Sequence, residues 1–400
     1  MHRISTSPLG GKGQPSCPAQ SMRLRGYVLL AAALLLAGCS GSDLSNSAPA
    51  PAVTSSDAAM PAGTNPDWGA NPPPVFAGDP AFDVAQAKLD KNLLCTGFSH
   101  VDKSPILLVH GTFTQGPEQY DWSYVPLLDE LGYDVCVVTY PDRGLGDQQV
   151  SAEYVANAMH RIYQKTGRKI AMIGHSQGAT MPRWAIKFWP SLQREISVFV
   201  EQAGPNHGLK LLGILPPGDA PLEPAGFYQF DPSSNFVKAL NAGNEAPGPI
   251  QYTTLYSYTD ELIQPALPVP TAAIDWAPNN PPTHSSAANV TNINLQQVCP
   301  GHIVDHVTIG TTDPLAFALT MDAITHDSPA NFQRAGGSKL CLQTAIPLPN
   351  LGPLLKPSTG AAALVAILKG EAAYGLPSGL DLVTEEPPLK AYAQGALPKP

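Results

Sequence analysis

Four hundred residues carry 32 acidic against 23 basic side chains, a formal charge of −9, and only 14% of them are charged, against about 25% in an average soluble domain. The 43 prolines run along the whole chain and exclude a mostly helical bundle or coiled coil, because proline inside a helix removes a hydrogen bond and clashes with the preceding turn. The acidic balance and the lack of a Lys/Arg cluster speak against nucleic acid as a partner, and no apolar run reaches the roughly eighteen residues of a spanning helix.

The leader comes first. Met22–Cys39 reads MRLRGYVLLAAALLLAGC. Arg23 and Arg25 make a basic n-region, and Tyr27 to Ala37 make an apolar core of secretory length. The core stops at Leu36-Ala37-Gly38-Cys39, which resembles the lipobox of bacterial lipoproteins. That resemblance implies cleavage before Cys39 and lipid attached to it; an ordinary cleavage site would leave the cysteine incidental. The stretch before Met22 reads as lying upstream of the true start. Removing residues 1–38 takes away Arg3, Lys12, Arg23 and Arg25 and no acidic residue, moving the net charge from −9 to −13. Anionic headgroups repel such a surface, so membrane attachment rests on the lipid chain. Residues 39–77, rich in Ala, Pro, Ser, Asn and Gly, cannot bury enough surface to order themselves and read as a tether. Residues 78–400 are the expected folded domain.

Cys17 leaves with the leader, and Cys95, Cys136, Cys299 and Cys341 remain. An even set in an exported chain reads as two disulfides with three possible connectivities. Nearest-neighbour pairing, Cys95–Cys136 and Cys299–Cys341, is the simplest.

Within the domain, Ile106–Val109 is a short apolar strand entering the turn His110-Gly111. Tyr124, Leu127, Leu128 and Leu131 have helical spacing and close at Gly132. Val135–Thr139 is a strand, and Ser151 caps a helix to about Thr166. Lys169–Ile173, Val198–Glu201 and Tyr252–Tyr258 are further strands, and Gln177–Trp189 a helix. This alternation predicts an α/β fold, a mostly parallel sheet covered on both faces. The Pro/Gly-rich stretch Leu209–Gly248 breaks the alternation and reads as a lid-like insertion over the sheet. Beyond Pro347 one alanine-rich helix, Ala361–Lys369, precedes a proline-rich tail.

The chemistry concentrates at Gly174-His175-Ser176-Gln177-Gly178, a G-x-S-x-G between a strand and a helix. A nucleophile elbow needs that context: small residues permit a strained turn that lifts Ser176 above the sheet at the positive end of a helix. The alternative is a small-residue turn with an inert serine. Serine needs a base, and the base an orienting acid. Asp260 follows the strand Tyr252–Tyr258 directly, where this architecture places its site; Glu261 is second choice. Of His284, His302, His306 and His326, the apolar setting of His306 favours it over His302. His302 and His306 are four apart, but no Glu lies between them as in H-E-x-x-H, so no metal is expected. The turn Val109–Thr112 and the residue after Ser176, Gln177, are placed to supply oxyanion donors.

With these residues assembled, the chain resembles the lipase B-like and bacterial secreted lipases of the α/β-hydrolase superfamily. The resemblance runs from about Gly78 to Gln394 and is carried by Asp79-Pro80-Ala81-Phe82, Pro105–Val109, Ser176-Gln177-Gly178, Leu255-Tyr256-Ser257, Thr259-Asp260-Glu261, Gln264-Pro265 and Val304-Asp305-His306. It implies the α/β-hydrolase fold and a Ser176–Asp260–His306 triad with Thr112 and the Gln177 amide as oxyanion hole. It also implies Cys95–Cys136 and Cys299–Cys341 and a single hydrolase domain needing no metal; a monomer acting on an ester or lipid substrate without cofactor is expected. His175 stands where the yeast member of the lipase B-like group has tryptophan, so pocket shape does not carry over. Short-chain esterase, polyesterase and amide hydrolase share the expected triad. A non-catalytic surface-binding lipoprotein would be a decayed form of it.

Overall fold

The computed structural model describes residues 63–69, 71, 73, 76–209, 222–344, 346 and 380–397. The leader, Cys39 and Ala361–Lys369 lie outside the described residues.

Among the described residues, seven strands form one sheet in the order β1-β3-β2-β4-β5-β7-β8: β1 (Leu93–Cys95), β2 (Ile106–Val109), β3 (Val135–Val138), β4 (Ile170–His175), β5 (Ile196–Gln202), β7 (Gln251–Tyr256) and β8 (Val290–Asn294). Only β1 runs antiparallel. β2, β3, β4 and β5 are buried along their whole length, as expected of parallel strands covered on both faces. Alternate residues feed two cores. Ile106, Leu108, Val135, Val137, Ile173 and Val200 pack toward the helices Tyr124–Glu130 and Pro314–His326. Leu107, Val109, Val138, Met172 and Phe199 pack toward Gln148–Thr166 and Gln177–Phe188.

β2 is flanked by β3 on one side and β4 on the other. The chain leaves β2 and β4 toward opposite edges, and a ligand crevice forms at such a switch point, outside the carboxyl ends of the strands. Both expected motifs sit there, His110–Thr112 after β2 and Ser176 after β4.

Several sequence expectations shift. The long helix starts at Gln148, not after Ser151: the side chain of Asp147 accepts from Gln149 N–H and caps it, which leaves Ser151 inside the helix. Gly116–Tyr120 forms a helix the apolar spacing did not mark, and β8 and Pro314–His326 were likewise not anticipated. Within the expected insertion, Ala225–Phe230 and Asn235–Asn241 are helical. They are bound to the body, with Gln148 N–H donating to Gln229 Oε1 at 2.7 Å and Phe236 stacked on Trp184.

Disulfides join Cys95 to Cys136 and Cys299 to Cys341. The first ties β1 to β3 at their paired positions. Before Gly78, Thr64 pairs with Cys95, and the carbonyls of Trp68 and Asn71 accept from the buried Arg161, which also forks onto Asp90 at 2.8 and 2.5 Å.

The end of the chain also closes on the body. β6 (Glu223–Pro224) pairs antiparallel with β9 (Leu382–Val383). Glu386 accepts the free N–H groups of Asn235 and Phe236, and Lys390 bonds Asp83 and the buried Glu153. Trp184 donates to Tyr392 Oη.

Candidate active site

Ser176 stands between β4 and the helix Gln177–Phe188 with φ 55° and ψ −128°, a backbone state that L-residues adopt only under strain. The flanking glycines make the turn possible. A Cβ on Gly174 would lie 2.0 Å from the Gly178 carbonyl oxygen, and one on Gly178 would lie 2.1 Å from that of Val109. The motif is thus a packing requirement: elbow, helix start and β2 interlock, leaving Ser176 8% exposed at the helix N-terminus.

Asp260 lies four residues past β7. Its Oδ1 accepts from Leu262 and Ile263 N–H, both at 2.8 Å, and its Oδ2 meets His306 Nδ1 at 2.9 Å. Burial works to raise its pKa, but the His306 charge and these hydrogen bonds prevail and hold it below the usual carboxylate value. For His306 burial works downward, and the Asp260 carboxylate more than offsets it, raising the imidazole above 6.5. His306 opens the short helix His306–Ile309, capped by Asp305.

The alternatives left by the sequence are separated in space. Glu261 Oε2 accepts the backbone N–H of His306 at 3.0 Å rather than meeting its ring. His302 Nε2 meets Asp313 Oδ2 at 2.6 Å, at the start of Pro314–His326, so His302 and His306 serve different carboxylates. His284 stacks on Trp276, and His326 pairs with Asp322.

Thr112 and Gln177 are in direct contact. Thr112 Oγ1 donates to Gln177 Oε1 at 3.1 Å, and Gln177 Nε2 donates to the Gly144 carbonyl at 2.8 Å. Sequence reasoning missed what holds this turn. Asp142 and Arg143 both have positive φ, 56° and 53°. The Arg143 carbonyl accepts Phe113 N–H at 2.8 Å, while its guanidinium donates to the Phe113 carbonyl and to Glu118. Two successive non-glycine residues in this conformation carry no sequence signal; the cost, of order 1–3 kcal/mol each, is met by that clasp. Gln119 and the contacts of His175 were also missed: the two side chains meet, and His175 reaches the His306 carbonyl.

Among known proteins, the family model described as Lipase (class 2) matches residues 103–275, which include Thr112, Ser176, Gln177 and Asp260 but stop before His306. Lipase B of Pseudozyma antarctica is 34% identical over 232 residues, 57% of this chain. A triacylglycerol lipase of Pseudomonas fragi is 32% identical over 111 residues, 27% of this chain. The chain spans 64% and 36% of these two relatives' lengths. The crystal structure of Aspergillus fumigatus lipase B superposes with a TM-score of 0.69 at 27% identity, covering 80% of this chain and 75% of that one. By sequence and by fold, the chain is similar to lipase B and the class 2 lipases, and its fold is that of the α/β-hydrolases.

Proposed function

We propose that the chain is a carboxylic ester hydrolase, a lipase or esterase working through an acyl-enzyme on Ser176. The observation that carries this reading is the Asp260–His306 contact: a carboxylate with one oxygen fixed by two backbone N–H groups, the other on the imidazole Nδ1. Such an imidazole carries its proton on Nδ1 and leaves Nε2 free as a base. Ser176 Oγ gives its proton to Nε2 as it bonds to the ester carbonyl carbon, and the carbonyl oxygen becomes an oxyanion. Gln177 N–H at the helix start, with Thr112, supports that charge. His306 then protonates the leaving alkoxide. A water attacks the acyl-enzyme by the same route, releasing the acid and restoring Ser176.

Apolar substrates, acylglycerols above all, suit the surroundings. Ile303 and Val307 flank His306 and are 83% and 49% exposed; Leu267 and Val269, beyond Asp260, are 60% and 56% exposed. The described part of the Pro/Gly-rich stretch, residues 222–248, acts in this reading as a covering element. In support, a Cβ on Gly226 would lie 3.0 Å from the Gly144 carbonyl, and Phe227 sits 6.1 Å from Phe113 beside the Thr112 turn. The enzyme works as a monomer, since one chain supplies every group the mechanism uses. It is exported and held at a membrane by lipid on Cys39, with the segment after Cys39 as tether up to the Thr64–Cys95 pairing, where the chain joins the catalytic domain. The two disulfides support export.

Hydrolysis of p-nitrophenyl esters of rising chain length, of emulsified triacylglycerol and of a matched amide, with Ser176→Ala alongside, tests this. The reading expects activity rising with acyl length and lost in Ser176→Ala. Turnover only on the shortest esters makes it a short-chain esterase, faster amide than ester cleavage makes it an amidase, and an active Ser176→Ala removes the mechanism. Cys39→Ser should move the protein from the membrane to the soluble fraction with unchanged activity on soluble esters.

A further inference from the structure

His175, the residue before Ser176, is tied at both ring nitrogens, and neither tie takes part in the steps above. Gly111 N–H donates to Gln119 Oε1 at 3.0 Å, which fixes the orientation of that amide. Gln119 Nε2 therefore faces His175 Nδ1, also at 3.0 Å, as the donor. Nδ1 must then be the bare nitrogen and Nε2 must hold the proton, which goes to the backbone carbonyl of His306 at 2.7 Å. Reversing the tautomer would oppose two acceptors at His306 and require Gln119 to turn, opposing two donors at Gly111. One arrangement of hydrogens satisfies all three contacts.

The ring has little room to leave this position. A Cβ on Gly310 would lie 2.2 Å from its Cγ and Cδ2, and one on Gly111 would lie 3.4 Å from Nδ1. Burial lowers its pKa to about 3, so it stays neutral 4.8 Å, centroid to centroid, from His306 and adds no charge beside the forming imidazolium.

His306 is consequently held at three points. Asp260 takes Nδ1, Glu261 takes the backbone N–H and His175 supplies the backbone carbonyl's donor. A ring pinned only at Nδ1 can still rock with its backbone; contacts on both peptide planes remove that freedom. The same hydrogen-bond chain ends in the turn that carries Thr112, so it spans from the oxyanion side of the site to the base, past the serine.

We propose that His175, oriented by Gln119, is a positioning residue: a neutral Nε2–H strut that fixes the backbone of His306 against the Gly111–Thr112 turn. The proposal rests on the Ser176–His306–Asp260 reading. It differs from a core-filling role, in which any side chain of similar volume would serve.

His175→Phe fills the same box and deletes both hydrogen bonds, and His175→Gln reaches the His306 carbonyl with an amide donor. With a soluble p-nitrophenyl ester, we expect His175→Phe to lower kcat about 10²-fold, the effect of a displacement near 1 Å at a reacting group, with KM within about threefold. His175→Gln should recover at least about tenfold of that loss. The low-field proton resonance of His306 Nδ1–H should shift or broaden in the Phe variant and return in the Gln variant. Gln119→Leu breaks the strut from its other end and should give an intermediate loss of kcat, which keeps the test available if His175→Phe does not fold. A His175→Phe enzyme within threefold of wild-type kcat, a Gln variant no better than Phe, or a loss that follows the folded fraction overturns the proposal. Ser176→Ala separates the two layers. If it is inactive while His175→Phe is normal, only the strut fails; if it is active, the underlying reading fails.

Discussion

Replacing Asp260 with asparagine probes the site where its hydrogen bonding leaves least freedom. The native Oδ1 accepts two backbone N–H groups at 2.8 Å, and Oδ2 receives the proton of His306 Nδ1 at 2.9 Å. An asparagine keeps its carbonyl oxygen on the backbone donors, because turning the NH2 group toward them would leave buried donors unpaired at about 1–3 kcal/mol each. The NH2 then faces His306 Nδ1. Two donors cannot share that contact, so the ring gives up its Nδ1 proton and carries it on Nε2. A ring protonated there cannot take the proton of Ser176, although the shape of the site is kept. The expected loss in kcat/KM is about 10³–10⁴-fold, or about 4–5.5 kcal/mol of transition-state stabilisation, with stability to urea little changed. The assay is hydrolysis of a soluble p-nitrophenyl ester across pH, with urea unfolding of the same preparations. Glu261→Gln is the control. Its side chain accepts backbone N–H groups, that of His306 among them, and does not meet the ring; an amide oxygen can keep such bonds, so it should lose less than about tenfold. An Asp260→Asn enzyme within tenfold of wild type, or an equal fall in both variants, would refute the reasoning.

Three further outcomes are expected. Because Asp260 raises the pKa of His306 above 6.5, the acid limb of kcat/KM should lie above pH 6.5; a pH–rate profile with its limb below 6 contradicts this. Burial lowers His110 to about 4 and His175 to about 3, so between pH 6.5 and about 4 the unfolded chain takes up protons that these native rings refuse. Each ring then removes stability as pH falls, at up to about 1.4 kcal/mol per pH unit, and His175→Phe should flatten the pH dependence in urea titrations; an unchanged slope argues against a neutral, buried His175. Arg161→Met leaves Asp90 and two backbone carbonyls without their cation and should cost about 3–5 kcal/mol in urea unfolding, where a loss below about 1 kcal/mol would show that water replaces it.

What could be read from the sequence was whatever a local steric rule writes into it. The elbow was legible because Gly174 and Gly178 each stand where a Cβ would collide with backbone, and the short buried strands because parallel pairing demands continuous apolar runs. Asp260 was legible from its place after a strand. His306 and His302 stayed close competitors because both lie in the same stretch; Asp313, which takes His302, lies outside any local pattern. β8 was missed because Val290-Thr291-Asn292-Ile293-Asn294 reads as a polar loop. In the fold, Asn292 is buried and bonded to Thr254 and to the backbone of Ile274, a pairing only tertiary structure supplies. The long helix began early because Asp147 and Ser151 are both good caps, and the residues between them lack apolar periodicity. Gln119, His175 and the Arg143 clasp answer to contacts between distant segments, so no spacing announces them.

The closure of the C-terminal segment bears on how the molecule is made. Glu153 is in the second turn of the long helix, buried, yet its cation, Lys390, is separated from it by 237 residues. The free N–H groups at the start of Asn235–Asn241 likewise wait for Glu386. Until residues 386–390 have been synthesised, a nascent chain lacks both the cation for that carboxylate and the acceptor for those N–H groups. Contacts this remote also bear the full entropic cost of loop closure before they contribute anything. These contacts therefore form after the helices they complete. A protease that clips just before Leu382 would undo this late step rather than trim an ornament.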